Sequence, residues 1–112
     1  ARGKDNAVFV AARGDGRVVG WVHGVLTRLL VLEPFVEVSG LVVDACHRRC
    51  GLGRRLMEAL ENWARRRGCR QVLLHTNVIR KDAHRFYRAL GYRELRKQLV
   101  FGKTLRRATA RR

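Results

Sequence analysis

Residues 36–67 read VEVSGLVVDACHRRCGLGRRLMEALENWARRR, and this stretch decides the fold. Val36 to Val43 is an apolar run of strand length. Asp44 to Gly53 is a basic turn with two glycines near its end. From Gly51 onward Leu52, Leu56, Leu60 and Trp63, with Met57 and Ala64 beside them, recur at three- and four-residue steps, while Arg54, Glu58, Glu61, Arg65 and Arg66 lie elsewhere. That is the period of an amphipathic helix with one face docked on a sheet. A buried strand therefore feeds, through a short turn, directly into a helix N-terminus.

Such a turn is built to hold phosphate. Gly51 and Gly53 lack Cβ atoms, so the backbone can bend tightly and approach a ligand. The first amides of the helix point outward unpaired, with the positive end of the helix dipole behind them. Arg48, Arg49, Arg54 and Arg55 bring cationic side chains to the same point. The dinucleotide fingerprint G-x-G-x-x-G is excluded because its third glycine is missing, and the Walker pattern G-x-x-x-x-G-K-[ST] is absent. What remains is Arg48-Arg49-Cys50-Gly51-Leu52-Gly53, R-x-x-G-x-G, behind the apolar strand Leu41-Val42-Val43.

Working outward, the 112 residues make one small domain, with residues 1–6 and 106–112 expected as disordered tails. No run approaches the roughly 18 apolar residues of a membrane span, and no signal-peptide h-region opens the chain, so a cytoplasmic protein is expected. Cys46, Cys50 and Cys69 are odd in number, which does not make a disulfide framework. The formal charge of +16, from 25 Lys and Arg against 9 Asp and Glu, attracts polyanions and raises nucleic acid as an alternative partner. The arginines are spread along the chain, however, without an aromatic-interleaved RNA motif or helix-turn-helix spacing. Cys46, His47 and Cys50 lie close together but lack the second ligand pair of a structural zinc site, so no metal is expected.

Before the central stretch, Ala7–Ala12 and Val18–Leu26 are β-rich and flank the turn residues Arg13-Gly14-Asp15-Gly16-Arg17, an antiparallel hairpin in which Gly20 and Gly24 mark a bulge or close contact. After it, Gly68 sits where a helix C-terminus wants glycine, Glu61 and Arg65 are spaced to pair, and Cys69–His75 reads as a strand parallel to the one before the helix. Asp82 is placed as the N-cap of a second helix with Ala83, Phe86, Tyr87 and Leu90 on its apolar side, ending at Gly91. Tyr92–Leu95 and Gln98–Leu105 read as a last hairpin.

Three separate blocks are similar to the GNAT superfamily of acetyl-CoA-dependent N-acetyltransferases. The cradle from Val43 to Gly53 resembles its acetyl-CoA-binding motif. Asn77, then Asp82-Ala83-His84-Arg85-Phe86-Tyr87-Arg88-Ala89-Leu90-Gly91-Tyr92, resembles its A-x-x-F-Y-x-x-x-G-[FY] block. Asp15-Gly16-Arg17-Val18-Val19-Gly20 resembles its D-G-x-x-V-G hairpin. Order and spacing agree from about Val8 to Leu105. The resemblance implies an α/β fold with a central mixed sheet flanked by helices, short at its N-terminal side.

It also implies how acetyl-CoA is held. The backbone of Leu41, Val42 and Val43 pairs with the pantetheine arm. The amides of Arg49, Cys50, Gly51, Leu52, Gly53 and Arg54, with the Arg48 side chain, hold the pyrophosphate. Asn77 and the start of the second helix, including Asp82 and His84, line the rest, and Tyr87 lies near the sulfur.

The chemistry assigns the remaining roles. An ammonium cannot attack a thioester, so a base must take its proton, donors must meet the developing oxyanion, and the departing thiolate needs an acid. Tyr87, a phenol, suits the acid; its other reading is a core-edge aromatic. Glu37 interrupts the apolar strand at the position where the family's histone-acetylating branch carries a catalytic glutamate, and suits the base; its other reading is an outward-facing strand residue. The backbone amide near Val42 is the expected oxyanion donor. His75 and His84 are placed where either could border the acetyl site. The amine acceptor stays open, because the helices that build much of its pocket in the family precede the first hairpin. Those helices lie outside this chain, or the pocket is completed in a homodimer. A catalytically idle CoA-binding module and a basic nucleic-acid-binding domain are the alternatives.

Overall fold

In the computed structural model, which describes residues 5–28, 33–48, 50–75, 81–96 and 99–107, β1 (Asn6–Ala12) and β2 (Val18–Thr27) pair antiparallel across a tight turn. The turn closes through Gly16 N–H donating to the Arg13 carbonyl at 2.8 Å, and the Asp15 carboxylate accepts the Arg17 N–H at 3.0 Å. Asn6 is the first residue of β1 and not part of a loose tail; its side-chain oxygen lies 2.8 Å from His23 Nε2. β2 pairs antiparallel with β3 (Phe35–Val43), and β3 pairs parallel with β4 (Val72–Leu73), giving a mixed sheet in the order β1-β2-β3-β4.

Helix α1 (Leu52–Arg66) covers one face of this sheet. Leu56, Met57, Leu60 and Ala64 are buried against Val22, Leu26 and Val36, as the 3.6-residue spacing predicts. Gly68, with φ of +83°, follows the helix in the left-handed conformation that ends it. The opposite face of the sheet leaves Val8, Val10, Val18 and Val42 half exposed. Helix α2 (Lys81–Ala89) begins one residue before the expected cap, so Asp82 stands in its first turn and forms an ion pair with Arg85.

Three expectations need correcting. The strand predicted over Cys69–His75 is formed only at Val72 and Leu73: Gln71 still accepts the Val36 N–H at 3.1 Å, and the chain leaves β3 after Leu73. The last hairpin does not form among the described residues: 92–96 and 99–107 carry no strand, and Leu99, Val100 and Phe101 are 85, 90 and 90% exposed. Gln98, the first residue of its expected second strand, lies outside the described residues. Glu61 does not pair with Arg65; its Oε2 accepts the Tyr92 hydroxyl at 2.6 Å, while Arg65 donates to Asn62 at 2.7 Å.

Tyr92 links the chain after α2 to the middle of α1. Burial, together with its bond to the Glu61 carboxylate, pushes the phenol well above its ordinary value. The proton is therefore held more tightly in the folded state, and the stabilisation is complete below about pH 10, where the unfolded phenol starts to ionise. It is lost as pH rises further. Tyr92→Phe is expected to cost roughly 1.5–3 kcal/mol at neutral pH and to flatten the fall in stability above about pH 10, measured by urea unfolding. An equal slope in both proteins would contradict the assignment.

Candidate functional site

The turn into α1 has the geometry its glycines imply, for two different reasons. Gly51 has φ of +85°, a left-handed conformation, and stands at the N-cap with no side chain capping the helix. A Cβ there would meet nothing within 4 Å, so the demand for glycine is conformational. Gly53 is different: a Cβ would lie 2.9 Å from Cζ of Phe86, so this glycine lets α2 pack against the first turn of α1. Sequence reasoning assigned both glycines to ligand approach, and nothing local could reveal a neighbour on the next helix.

The first turn of α1 contains no acid and has no side-chain cap. The first amide seen bonding back into the helix is Arg55 N–H, to the Gly51 carbonyl at 3.1 Å, which leaves the amides of Leu52, Gly53 and Arg54 without a helical acceptor. Arg54 reaches Glu58 at 3.8 Å on the exposed side. The Arg48 side chain donates through Nε to the Val43 carbonyl at 3.2 Å, tying the end of β3 to the turn. Cys50 Sγ donates to the His47 carbonyl at 2.6 Å. His47 Nδ1 is 3.4 Å from Asp44 Oδ2 yet lacks hydrogen-bonding geometry, so this buried nitrogen has no hydrogen-bond partner. Outward amides, positive dipole and arginines together fit a diphosphate. Arg49 lies outside the described residues.

A second opening begins where the parallel pair stops. β3 and β4 are in register only at Val36↔Val72 and Glu37↔Leu73. From Val38 to Val43 the β4 side of β3 has no strand partner among the described residues, and this free edge leads straight to the Gly51 turn. Which amides face it follows from the register. Asp44 N–H donates to the Val19 carbonyl at 2.7 Å, and the register runs Gly20↔Val43, Trp21↔Val42, Val22↔Leu41. Successive residues alternate direction across an antiparallel pair. Val42 therefore bonds toward β2, and the backbone groups facing the opening are those of Leu41 and Val43. Near Val42, the expected place of an oxyanion donor, the amides facing the opening are therefore those one residue to either side. The register shift at His23/Gly24 gives β3 an extra residue, Ser39, opposite no β2 residue, and so sets this parity.

At the start of the same opening, a cleft of about 420 Å³ is lined by Val25, Glu37, Val38, Ser39 and His75. His75, two residues beyond β4, places Nδ1 at 3.1 Å from Glu37 Oε2. Glu37 thus faces a cavity and not bulk solvent alone, and its partner comes from the strand that diverges.

Tyr87 is half-buried on α2 and packs against the core, with its ring edge-on to Phe86 at 5.0 Å and to Tyr92 at 5.9 Å. That environment accommodates the core-edge reading as well as the catalytic one. His84 is half-buried beside it on the helix, and Asp82 is exposed. Asn77 lies outside the described residues. Among the described residues no three His, Cys, Asp or Glu side chains gather as metal ligands would.

The model of the acetyltransferase (GNAT) family matches residues 1–92. An aminoglycoside N(6')-acetyltransferase type 1 of Stenotrophomonas maltophilia is 31% identical over 101 residues, covering 87% of this chain and 66% of the relative. One of the same description from Serratia marcescens is 30% identical over 105 residues, 94% of this chain and 68% of the relative. This chain thus spans about two thirds of the length of those relatives. An aminoglycoside N-acetyltransferase solved in complex with CoA superposes with a TM-score of 0.80 at 23% identity, over 90% of this chain and 78% of the other.

Proposed function

The chain belongs to the acetyltransferase (GNAT) family, and from that premise we propose that it transfers the acetyl group of acetyl-CoA to a primary amine by direct attack in one ternary complex. The observation that carries this reading is the early end of the β3–β4 pair at Glu37↔Leu73, which leaves a free strand edge running into an uncapped, arginine-flanked helix N-terminus. An extended amide-bearing arm can pair with the edge, and a diphosphate with the helix end.

In this reading the amides of Cys50, Gly51, Leu52, Gly53 and Arg54 and the Arg48 side chain hold the pyrophosphate, with Arg49 among them. Acetyl-CoA supplies the acetyl group as an activated thioester. Leu41 offers its backbone groups and Val43 its amide to the pantetheine arm, the Val43 carbonyl being held by Arg48, and these amides are the nearest donors for oxyanion charge. Glu37 takes the proton of the acceptor ammonium, directly or through water. Tyr87 gives a proton to the departing thiolate, and Asn77, Asp82 and His84 line the cofactor's far side.

The two relatives above carry aminoglycosides in their names, and a solved aminoglycoside acetyltransferase of similar fold is in complex with sisomicin, so sisomicin is the first acceptor to test. Release of free CoA thiol that requires both acetyl-CoA and the amine supports the proposal; acetyl-CoA binding without turnover on any amine points to an idle cofactor-binding module. Because a thiol ionises near pH 8.5 and leaves readily, the acid contributes modestly. Tyr87→Phe is expected to lower kcat about tenfold, beneath the usual range for general acids, with acetyl-CoA affinity unchanged. An unaltered kcat would return Tyr87 to a packing role.

A cytoplasmic homodimer completes the proposal. The thiols of Cys46, Cys50 and Cys69 are unpaired, and among the described residues no helix is long and apolar enough to cross a membrane. The exposed Leu99-Val100-Phe101 segment is the support for self-association. Light scattering of the wild type and of Val100→Asp checks it.

A further inference from the structure

His75 has no assigned part in the reaction, yet it is the residue that Glu37 touches. Its Nδ1 stands 3.1 Å from Glu37 Oε2, and both side chains line the cleft with Val25, Val38 and Ser39, none of which ionises. Glu37 has an apolar neighbour on each flanking strand, Val25 on β2 and Leu73 on β4. His75 is thus the polar side chain of that cleft that can orient the carboxylate by a charge-bearing contact.

We propose that His75 is the positioning residue of Glu37: the imidazole holds one carboxylate oxygen so that the other is presented to the acceptor amine. The inference rests on Glu37 acting as the base. A glutamate on an open cleft floor has three torsions to fix, and ordering such a side chain costs up to about 1.5–2 kcal/mol. The imidazole reaches it from the segment just beyond β4, so the hold depends on the divergence of the chain from β3 that also opens the cleft. An imidazole nitrogen 3.1 Å from one carboxylate oxygen leaves the second oxygen's lone pairs for the substrate. The contact is exposed, 68% at His75 and 40% at Glu37, and an exposed ion pair adds little to folding stability. Its value is in placing the base, because small displacements of reacting groups carry large kinetic penalties.

This separates positioning from a structural role. In the full chain, with sisomicin as acceptor and free CoA thiol as the readout, His75→Ala should lower kcat by about 10- to 100-fold. KM for acetyl-CoA and the urea midpoint should hardly move. His75→Asn, whose side-chain N–H can stand near the Nδ1 position, should recover most of the loss. A kcat for His75→Ala within about twofold of wild type, or a kcat loss matched by lost stability and not rescued by Asn, overturns the proposal.

A second measurement needs no acceptor. Long-range proton–nitrogen NMR of the ring should show the Nδ1-protonated tautomer in the wild type and its loss in Glu37→Ala, which removes the acceptor; an unchanged tautomer also overturns the pairing. Absence of wild-type turnover on any amine, with the tautomer shift present, would instead strike the proposed reaction and leave the contact standing.

Discussion

Glu37→Gln is expected to lower kcat by about 10²- to 10⁴-fold, the range typical of a lost general base, while acetyl-CoA binding and the fold survive. The substitution keeps the length and hydrogen-bonding capacity of the side chain and removes its ability to accept a proton. Glu37 lies opposite Val25 on β2 and Leu73 on β4, at the last register pair before the strands part, and lines the cleft there. Because a primary amine is largely protonated at neutral pH, loss of the base should be partly repaired as pH rises and the free amine becomes common. The variant's rate should therefore climb with pH beyond the point where the wild type levels off. A steady-state pH series checks both features. If the variant retains a third or more of wild-type kcat at neutral pH, Glu37 is an outward strand residue and water serves as the base.

Leu60→Ala is the substitution with the largest expected effect on stability. Leu60 is fully buried on the sheet-facing side of α1, and a Cβ at Gly24 of β2 would lie only 2.5 Å from its Cδ1. Helix and strand are so close there that neither can move in to fill a void. Leu→Ala losses run from about 2 to 5 kcal/mol and grow with the cavity left behind, and this site belongs in the upper half. Against a total stability of roughly 5–15 kcal/mol, the variant should unfold at a much lower urea concentration with an unchanged slope. A loss under about 1 kcal/mol, well beneath that range, would mean that α1 can slide on the sheet.

The elements legible in the sequence were those whose signals are local. The β-rich runs Ala7–Ala12 and Val18–Leu26 on either side of a turn, and the three- and four-residue steps of α1, each reflect one face buried on one core. The cradle was legible because Gly51 must adopt a positive φ and because three motif blocks occur in the family's order. What escaped depends on partners far along the chain. The pairing of Tyr92 with Glu61 spans 31 residues, and the reason for Gly53 is a ring on α2. Leu99–Leu105 has strand-like composition, but a strand needs an edge to pair with, and no local pattern supplies one. The direction of the Leu41, Val42 and Val43 amides turns on the extra residue at Ser39, which shifts parity by one. His75 was noted as a neighbour of the acetyl site; its contact with Glu37 emerges only once β4 is seen to leave β3 after Leu73.

The central claim is that the Gly51 turn and the adjoining free edge of β3 hold acetyl-CoA. Calorimetric titration of acetyl-CoA into the full chain tests it most directly, with Gly51→Trp as the comparison: a Cβ there meets no atom within 4 Å, and the strain it places on this positive-φ turn is followed by the urea midpoint. The account predicts saturable one-to-one binding in the wild type that persists at high salt, and at least a tenfold weakening in the variant, about 1.4 kcal/mol. Equal affinity in both proteins, or heat that neither saturates nor survives salt, would contradict it.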